Sequence, residues 1–468
     1  YNILKYACGG VERNALRAKF STLTFEELRS AFSEAKAEVG GRLAEAGRAR
    51  HLIDFIHGVN LSRALSEAFY SVNRKYRMVS IGRVQGPTLS YVVEREAEIR
   101  SFVPTPYWTI TATLEKDGFK VEAEYEKGRL ERLKDALIVK RDCEGRIGVV
   151  KEVRTSIVKQ SPPTPFNIGD LQREAYRVFS FSPSQTLGIA ERLYLEALIS
   201  YPRTSSQKLP LSIDYRRILK GLSQMTVYRR DAEEIMAGRL SPKQGEKEDP
   251  AHPAIYPTGE ASKRDLEPRE NKLYDLIVRR FFSVFGDYAV RERVSAVISI
   301  DARNFKILGR RTLSEGWIKY YKRYTGVEDN PIPALVEGES VKIHDISLNE
   351  KFEQHHPRYN QSSLLERMEK EGIGTKTTRA DIINTLYSRG YVTGESMVAT
   401  DLGFTVIEMM KKFSPEIISI NLTREIESEL DRIERGEVDG SVVIERVVDQ
   451  LTDSLEALKS AEVEIGTL

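Results

Sequence analysis

The chain of 468 residues carries only 2 cysteines, 6 histidines and 2 tryptophans. Cys8 and Cys143 stand far apart, which excludes a disulfide framework and a cysteine-built zinc site. No apolar run approaches the roughly 20 residues of a membrane-spanning helix, and no signal-peptide pattern opens the sequence. A soluble, cytoplasmic protein with no membrane partner is the expectation. Charge of one sign is also missing. The 71 basic residues face 69 acidic ones, for a net +2. A chain-wide basic field for nucleic acid is thereby excluded, and any such surface must be local. No repeat of fixed period is present. Hydrophobic residues make up 40%, enough for real cores, and the length calls for several domains.

What is there centres on Leu198-Ile199-Ser200-Tyr201-Pro202-Arg203-Thr204-Ser205-Ser206. Ser182-Pro183-Ser184-Gln185 reads as a helix N-cap, a proline at the first helical position and a capping-box glutamine. Leu187, Ala190, Leu193, Tyr194, Ala197 and Leu198 then recur on one helical face. The pattern predicts a helix that delivers Tyr201, with Pro202 preventing its continuation. A tyrosine nucleophile must lose a proton from a phenol whose ordinary pKa is about 10. The phosphate it attacks needs its charge offset, which a planar guanidinium does with paired hydrogen bonds. Tyr201 and Arg203 supply both groups within three residues, with the Thr204 hydroxyl next in line. Alone, such a pair is more often an ordinary surface contact.

Further motifs surround it. Arg17–Leu23 is strand-like, and Thr24 with Glu27 reads as a capping box opening a helix. Ser80-Ile81-Gly82-Arg83-Val84-Gln85 is a glycine-bounded turn before a helix, an arrangement suited to phosphate. Alternation over Trp108–Leu114 and Lys120–Tyr125, and again over about 288–313, predicts two distant β blocks that pair into one sheet. The helical segment between them would hang from that sheet as a lobe on two stalks. Gln160–Phe166 is a stiff, proline-rich linker. Tyr215-Arg216-Arg217 and Tyr228-Arg229-Arg230 interleave basic residues with aromatics, as a nucleic-acid strand would suit, although a solvated helix face is the commoner explanation of such a pattern. In Ala251-His252-Pro253-Ala254-Ile255, His252 is held in a rigid loop and could bind phosphate or relay a proton. Finally, Asn360 caps a helix ending at Gly372. Gly374-Thr375-Lys376-Thr377-Thr378 and a second helix follow, then Tyr391-Val392-Thr393, a winged-helix-like order. The spacing around Lys376 is wrong for a P-loop, so no ATP site is read. Lys376 and Thr378 are instead expected to touch a nucleic-acid backbone at a helix start.

Five of these segments in this order resemble the type IA DNA topoisomerases, of the archaeal topoisomerase I and topoisomerase III kind. They are Ser80–Gln85, Pro162–Phe166, Leu198–Thr204, Ala251–Ile255 and Glu371–Gly374. The resemblance implies a multidomain α+β fold: a toroidal core with winged-helix-like (CAP-like) helical domains and a β-rich arch. It implies cutting and resealing of one DNA strand through a 5′-phosphotyrosine on Tyr201, without ATP, relaxing negative supercoils or decatenating. Arg203 would position the phosphate and His252 contact it. Arg83, Gln85, Thr204, Lys376 and Thr378 would hold the strand. The partners would be single-stranded and negatively supercoiled DNA, met by a monomer near the nucleoid. The implied layout is 1–50 as the end of a Toprim domain, and 51–102 with 352–468 as a helical DNA-binding scaffold. The arch would be 103–164 with 287–351, and the tyrosine domain 165–286.

One departure matters. The family's Toprim domain carries a Lys, a Glu and an Asp-x-Asp-x-Glu motif that holds Mg²⁺, and none of these is found in this sequence. Mg²⁺ is therefore expected from the family, with its acidic ligands absent here. Alternatives stay open: a catalytically incomplete DNA-binding scaffold, or the topoisomerase half of a reverse gyrase. A tyrosine recombinase would need a His-x-x-Arg constellation before its tyrosine, and none precedes Tyr201.

Overall fold

The alternating segments close on themselves. In the computed structural model, which describes residues 1–37, 40–76 and 78–467 (of Arg13 the backbone only), six strands form a closed barrel. They are β1 (Pro106–Lys116), β2 (Phe119–Tyr125), β3 (Ile147–Gln160), β4 (Ala289–Ile300), β5 (Arg303–Ser314) and β6 (Ser340–Phe352), in the order β1-β2-β5-β4-β3-β6. The two β blocks do pair, through β2 and β5, where Tyr125 lies opposite Phe305. Alternation puts Ile110, Ala112, Leu114, Ala296, Ile298, Ile300, Phe305 and Ile307 inside. Gly148 sits at the seam where β3 meets β6. A Cβ there would lie 2.9 Å from an Ile298 methyl, so only glycine lets the barrel close.

β3 and β6 were not legible as strands, for a common reason. The register shifts between Val150 and Glu152 on β3, and opposite Thr113 and Leu114 of β1 on β6. Each bulge breaks the period of two that would have announced the strand. Beyond the barrel, β3 and β4 stay paired to Gln160 and Ala289, as the two stalks of the segment between them.

Helices take up the rest, with a two-stranded sheet of β7 (Val392–Thr393) and β8 (Val398–Ala399) where the sequence places a strand after the second helix. In chain order the helices are α1 (Asn2–Tyr6), α2 (Phe25–Ser33), α3 (Gly41–Asn73), α4 (Gln85–Ser101), α5 (Leu133–Cys143), α6 (Ile168–Phe179) and α7 (Pro183–Leu195). Then come α8 (Tyr215–Ser223), α9 (Arg229–Ala237), α10 (Pro268–Ser283), α11 (Ile318–Thr325), α12 (Gln361–Glu371) and α13 (Arg379–Ser388). The last are α14 (Asp401–Phe413), α15 (Ile420–Arg435), α16 (Gly440–Ser460) and α17 (Glu462–Thr467). α5 packs Ala136, Val139 and Cys143 into the barrel core. α6 to α11 share one core, including Leu171, Leu187, Leu193, Phe281, Phe282 and Trp317. α11 lies within the span expected for the arch, yet its Tyr320 and Tyr321 are buried in the core of the tyrosine segment. α3, about 50 Å long at 1.5 Å per residue, joins two further cores. Its Ala49 and Ile53 meet α15 and α16, and its Leu61 and Leu65 belong with α4 and α12 to α14.

Three local expectations are corrected. Arg17–Leu23 is not a strand. Its one bridge is Arg17 to Lys36, and the Ser21 carbonyl accepts instead from the Tyr201 N–H. Thr24 precedes α2 without a side-chain cap, because the Glu27 carboxylate reaches past it to the Ser21 N–H and the Thr22 hydroxyl. Tyr215 and Tyr228 are buried in the core shared by α6 to α11, so only the arginines beside them face solvent.

Candidate active site

Tyr201 does not end a helix. The Ser182–Gln185 capping box forms as read, but α7 stops at Leu195. Ala197 turns left-handed at φ 58°. The Leu198 N–H then bonds the Leu193 carbonyl and the Ala197 N–H that of Tyr194, which closes the helix as a Schellman motif. The chain continues extended. Ile199 bridges Pro257, the Ser200 N–H donates to the Tyr256 carbonyl, and Phe166 bridges Ile255. Three segments that sequence reading treated separately are thus laid side by side: the end of the linker, the tyrosine segment and the His252 loop. Tyr201 hangs from this small platform, half-buried. Its ring centroid lies 4.6 Å from that of His252 and 5.3 Å from that of Tyr194.

Arg203 reaches sideways. Its Nε donates to a Glu191 carboxylate oxygen at 2.5 Å and its Nη1 to the Thr377 carbonyl at 3.4 Å. Thr204 is fully buried, and its hydroxyl donates to the His252 carbonyl at 3.1 Å. The His252 ring faces the Ser21 hydroxyl, 3.3 Å from Nδ1. Burial lowers the His252 pKa. Lys376 and Lys19 push the same way, while Asp249 and Glu27 oppose them. The imidazole is therefore neutral at pH 7 and available as an acceptor.

Beneath these groups lies Asp249, in the loop that leads to His252. Its side chain is only 1% exposed and pairs with the Lys376 ammonium. It also accepts from the Ser205 N–H and hydroxyl, both at 3.0 Å, and from the Ala251 N–H at 2.9 Å. Burial alone would raise its pKa, but Lys376 and the two backbone N–H groups hold it well below the usual carboxylate range. Ser21, Glu27 and Glu191 were also missed, since nothing in their spacing ties them to Tyr201. An aspartate three residues before the histidine, able to bond its own loop's N–H groups, was the one signal available for Asp249.

Arg83, Gln85 and Thr378 gather in a second place, a cleft of about 350 Å³ between α3, the start of α4 and the α12–α13 loop. Arg83 is 3% exposed and held by two carboxylates, Asp54 at 2.5 Å and Glu427 at 2.8 Å. Burial works against its charge, but those carboxylates outweigh it and raise its pKa. Gln85 is turned back onto the Ser80 carbonyl at 3.3 Å. Thr378 is exposed, and its hydroxyl accepts from the Thr375 N–H at 2.9 Å. Arg50 and Arg389, not singled out from the sequence, line the same cleft. The α12–α13 loop joins the two places, with Thr375 and Thr378 on the cleft and Lys376 and Thr377 against Asp249 and Arg203. Arg173 adds a further contact across these elements, pairing with Glu369 of α12 where Gly169 leaves room for that carboxylate.

Among the described residues no three His, Cys, Asp or Glu side chains converge as a metal site. The Mg²⁺ implied by the resemblance therefore finds no ligand set among these residues. No helix among them is long and apolar enough to cross a membrane.

Against known proteins, a family model described as DNA topoisomerase matches residues 39–445. DNA topoisomerase 1 of Pyrococcus horikoshii is 45% identical over 470 residues, covering 100% of this chain and 68% of that protein. Its counterpart from Methanothermobacter thermautotrophicus is 42% identical over 469 residues, covering 100% and 64%. The solved structure of full-length topoisomerase I from Thermotoga maritima is similar at a TM-score of 0.78 and 29% identity, over 94% of this chain and 73% of that one. The chain thus spans about two thirds of the length of these curated relatives. With the matching α+β architecture and the closed barrel, these likenesses establish that the chain belongs to the type IA DNA topoisomerases, a family of isomerases, and carries their toroidal core fold.

Proposed function

We propose that Tyr201 is the nucleophile of a strand-cutting and resealing reaction on DNA. Its phenolic oxygen attacks a backbone phosphorus, and a new P–O bond to tyrosine forms as the bond to the 3′ oxygen breaks. The 5′ end stays on Tyr201. The phenolic proton is given up and the departing 3′ oxygen gains one, so the strand leaves as a free 3′ hydroxyl. Resealing is the reverse. The phosphodiester energy is conserved in the phosphotyrosine, so strand passage needs no ATP, and relaxation of negative supercoils or decatenation follows. Arg203 offsets the phosphate charge, and neutral His252 accepts or passes a proton. Thr204 anchors the His252 loop. Lys376, Thr378, Arg83 and Gln85 belong to the track of the single strand. Mg²⁺, when bound by the family's Toprim residues, would offset charge on the DNA backbone.

The observation that carries this reading is the meeting of Tyr201 with His252 at 4.6 Å, on the segment that also bears Arg203. We assign the tyrosine segment to 165–286, the arch to 103–164 with 287–351, and the scaffold to 51–102 with 352–468, after the end of Toprim in 1–50. A monomer acting in the cytoplasm, on the nucleoid, fits this scheme.

The test is to incubate the protein with end-labelled single-stranded DNA, with and without Mg²⁺, and to look for labelled protein after denaturation. A 5′-linked adduct that disappears in Tyr201→Phe is the expected result. A second reading, strand binding without cutting, is favoured by the lack of an acidic metal-binding cluster among the described residues. Bound strand with no adduct under any condition would establish it and overturn the first.

A further inference from the structure

The Asp249 carboxylate touches three segments of the chain at the site. It binds the tyrosine segment through Ser205, its own loop through Ala251, and the α12–α13 loop through Lys376. The His252 N–H also points at it, 3.3 Å away. Ser205 lies four positions after Tyr201, and Asp249 three before His252, so small movements of this carboxylate reach both reacting groups. The structural requirement on an isolated solvated loop would be met by water. Here a side chain nine-tenths buried and more is given a full set of donors from three directions instead.

We propose that Asp249 is a positioning residue: it fixes the distance and tilt between Tyr201 and His252, with Lys376 as the counter-ion that keeps its charge buried. This rests on the reading of Tyr201 as nucleophile and adds to it a residue that touches neither DNA nor the reacting atoms. The charge near His252 comes from Asp249 and Glu27 on one side and from Lys376 and Lys19 on the other. Asp249→Asn keeps an oxygen that accepts from Ser205 and Ala251 but removes the charge. Asp249→Ala removes both.

The two variants separate the effects. Adduct formation by the full-length protein at saturating single-stranded DNA should slow about 10-fold in Asp249→Asn and about 100-fold in Asp249→Ala, the scale of a misplacement near 1 Å. Affinity for the same DNA should not fall by more than about 3-fold, because Asp249 itself contacts no phosphate and the residues of the strand track, Lys376 included, are all retained. Independently of any activity, the His252 ring resonance in Asp249→Asn should titrate at lower pH than in the parent. Asp249→Ala cutting at the parent rate would overturn the proposal. So would cutting, affinity and melting temperature falling together, or an unmoved His252 titration. An adduct that survives Tyr201→Phe would overturn the nucleophile assignment instead, and the His252 titration would still judge Asp249.

Discussion

Arg83 and Arg203 were read from the sequence as the same kind of residue, an arginine beside a turn waiting for phosphate. The fold treats them differently. Arg83 is 3% exposed and closed in by Asp54 and Glu427, whereas Arg203 is half-buried and has a single carboxylate partner, Glu191. A buried guanidinium between two carboxylates has its donors committed and acts as architecture, joining α3, α4 and α15. One at a rim with a single exchangeable partner can turn to an incoming phosphate. Residue type alone did not carry that distinction; burial and the number of partners did.

The largest effect expected lies on the Arg203 side of this contrast. Tyr201→Phe removes the only oxygen able to form the phosphotyrosine, so the covalent adduct should fall by at least ~10⁴-fold. Melting temperature should hardly change, since Tyr201 is held in place by its backbone N–H and its ring. Gel detection of labelled protein and a thermal melt decide it together. Residual adduct would remove the asymmetry between the two arginine sites.

Next, the two arginines should fail differently. Arg203→Gln should slow adduct formation by about 10²-fold, as loss of one charge-stabilising donor does, with stability changed by less than ~1 kcal/mol because its ion pair is half exposed. Arg83→Gln should cost about 2 kcal/mol in stability by taking a buried guanidinium from between Asp54 and Glu427, which then keeps only Arg50 as an ion-pair partner among the described residues; Asp54, which is more exposed, adds less. Denaturant melts with parallel cutting assays measure both. A stable Arg83→Gln that has lost strand binding would show that Arg83 leaves its carboxylates for DNA, and the comparison would break.

Much of this was legible beforehand. The Ser182–Gln185 box and the alternation within each β block follow from short-range chemistry that sequence displays directly, and the five motifs were legible as a resemblance. What escaped depends on tertiary neighbours. The bulges in β3 and β6 shift the period where another strand demands it. Tyr215 and Tyr228 face inward because α10 presents Phe281 and Phe282 to them. Asp249 is buried only because Ser205, Ala251 and Lys376 arrive from three separate segments, and one stretch of sequence cannot announce that meeting.

The pH response should sharpen the contrast further. His252 is depressed by burial, so the unfolded chain binds its proton first. Stability is therefore lost as pH falls from about 6.5, its ordinary value, through the lower folded value. Asp249 is depressed as well, so its contribution is complete above the ordinary aspartate value of about 4 and disappears only below it. Melts from pH 8 to pH 3 should show two separate declines at the tyrosine site. His252→Gln should shrink the upper one and Asp249→Asn the lower one. Near the Arg83 cleft, on α3, buried His57 has its pKa lowered by burial as well. A His57→Gln variant that removed the upper decline would reassign it to α3.

The smallest effect concerns how the tyrosine segment leaves its helix. Ala197 occupies the left-handed closing position of α7 at φ 58°, where a side chain costs about 1 kcal/mol relative to glycine. The bonds around it, Leu198 to Leu193 and Ala197 to Tyr194, are made regardless of that side chain. Ala197→Gly should therefore raise stability by roughly 0.5 to 1 kcal/mol, less whatever freedom glycine adds to the unfolded chain. If the strained turn only redirects the chain, cutting should proceed at the parent rate. A slower rate in a more stable protein would mean that the alanine's rigidity helps aim Tyr201 at His252, making the end of α7 part of the site's geometry in the way that the Asp54–Arg83–Glu427 cluster is part of the scaffold's.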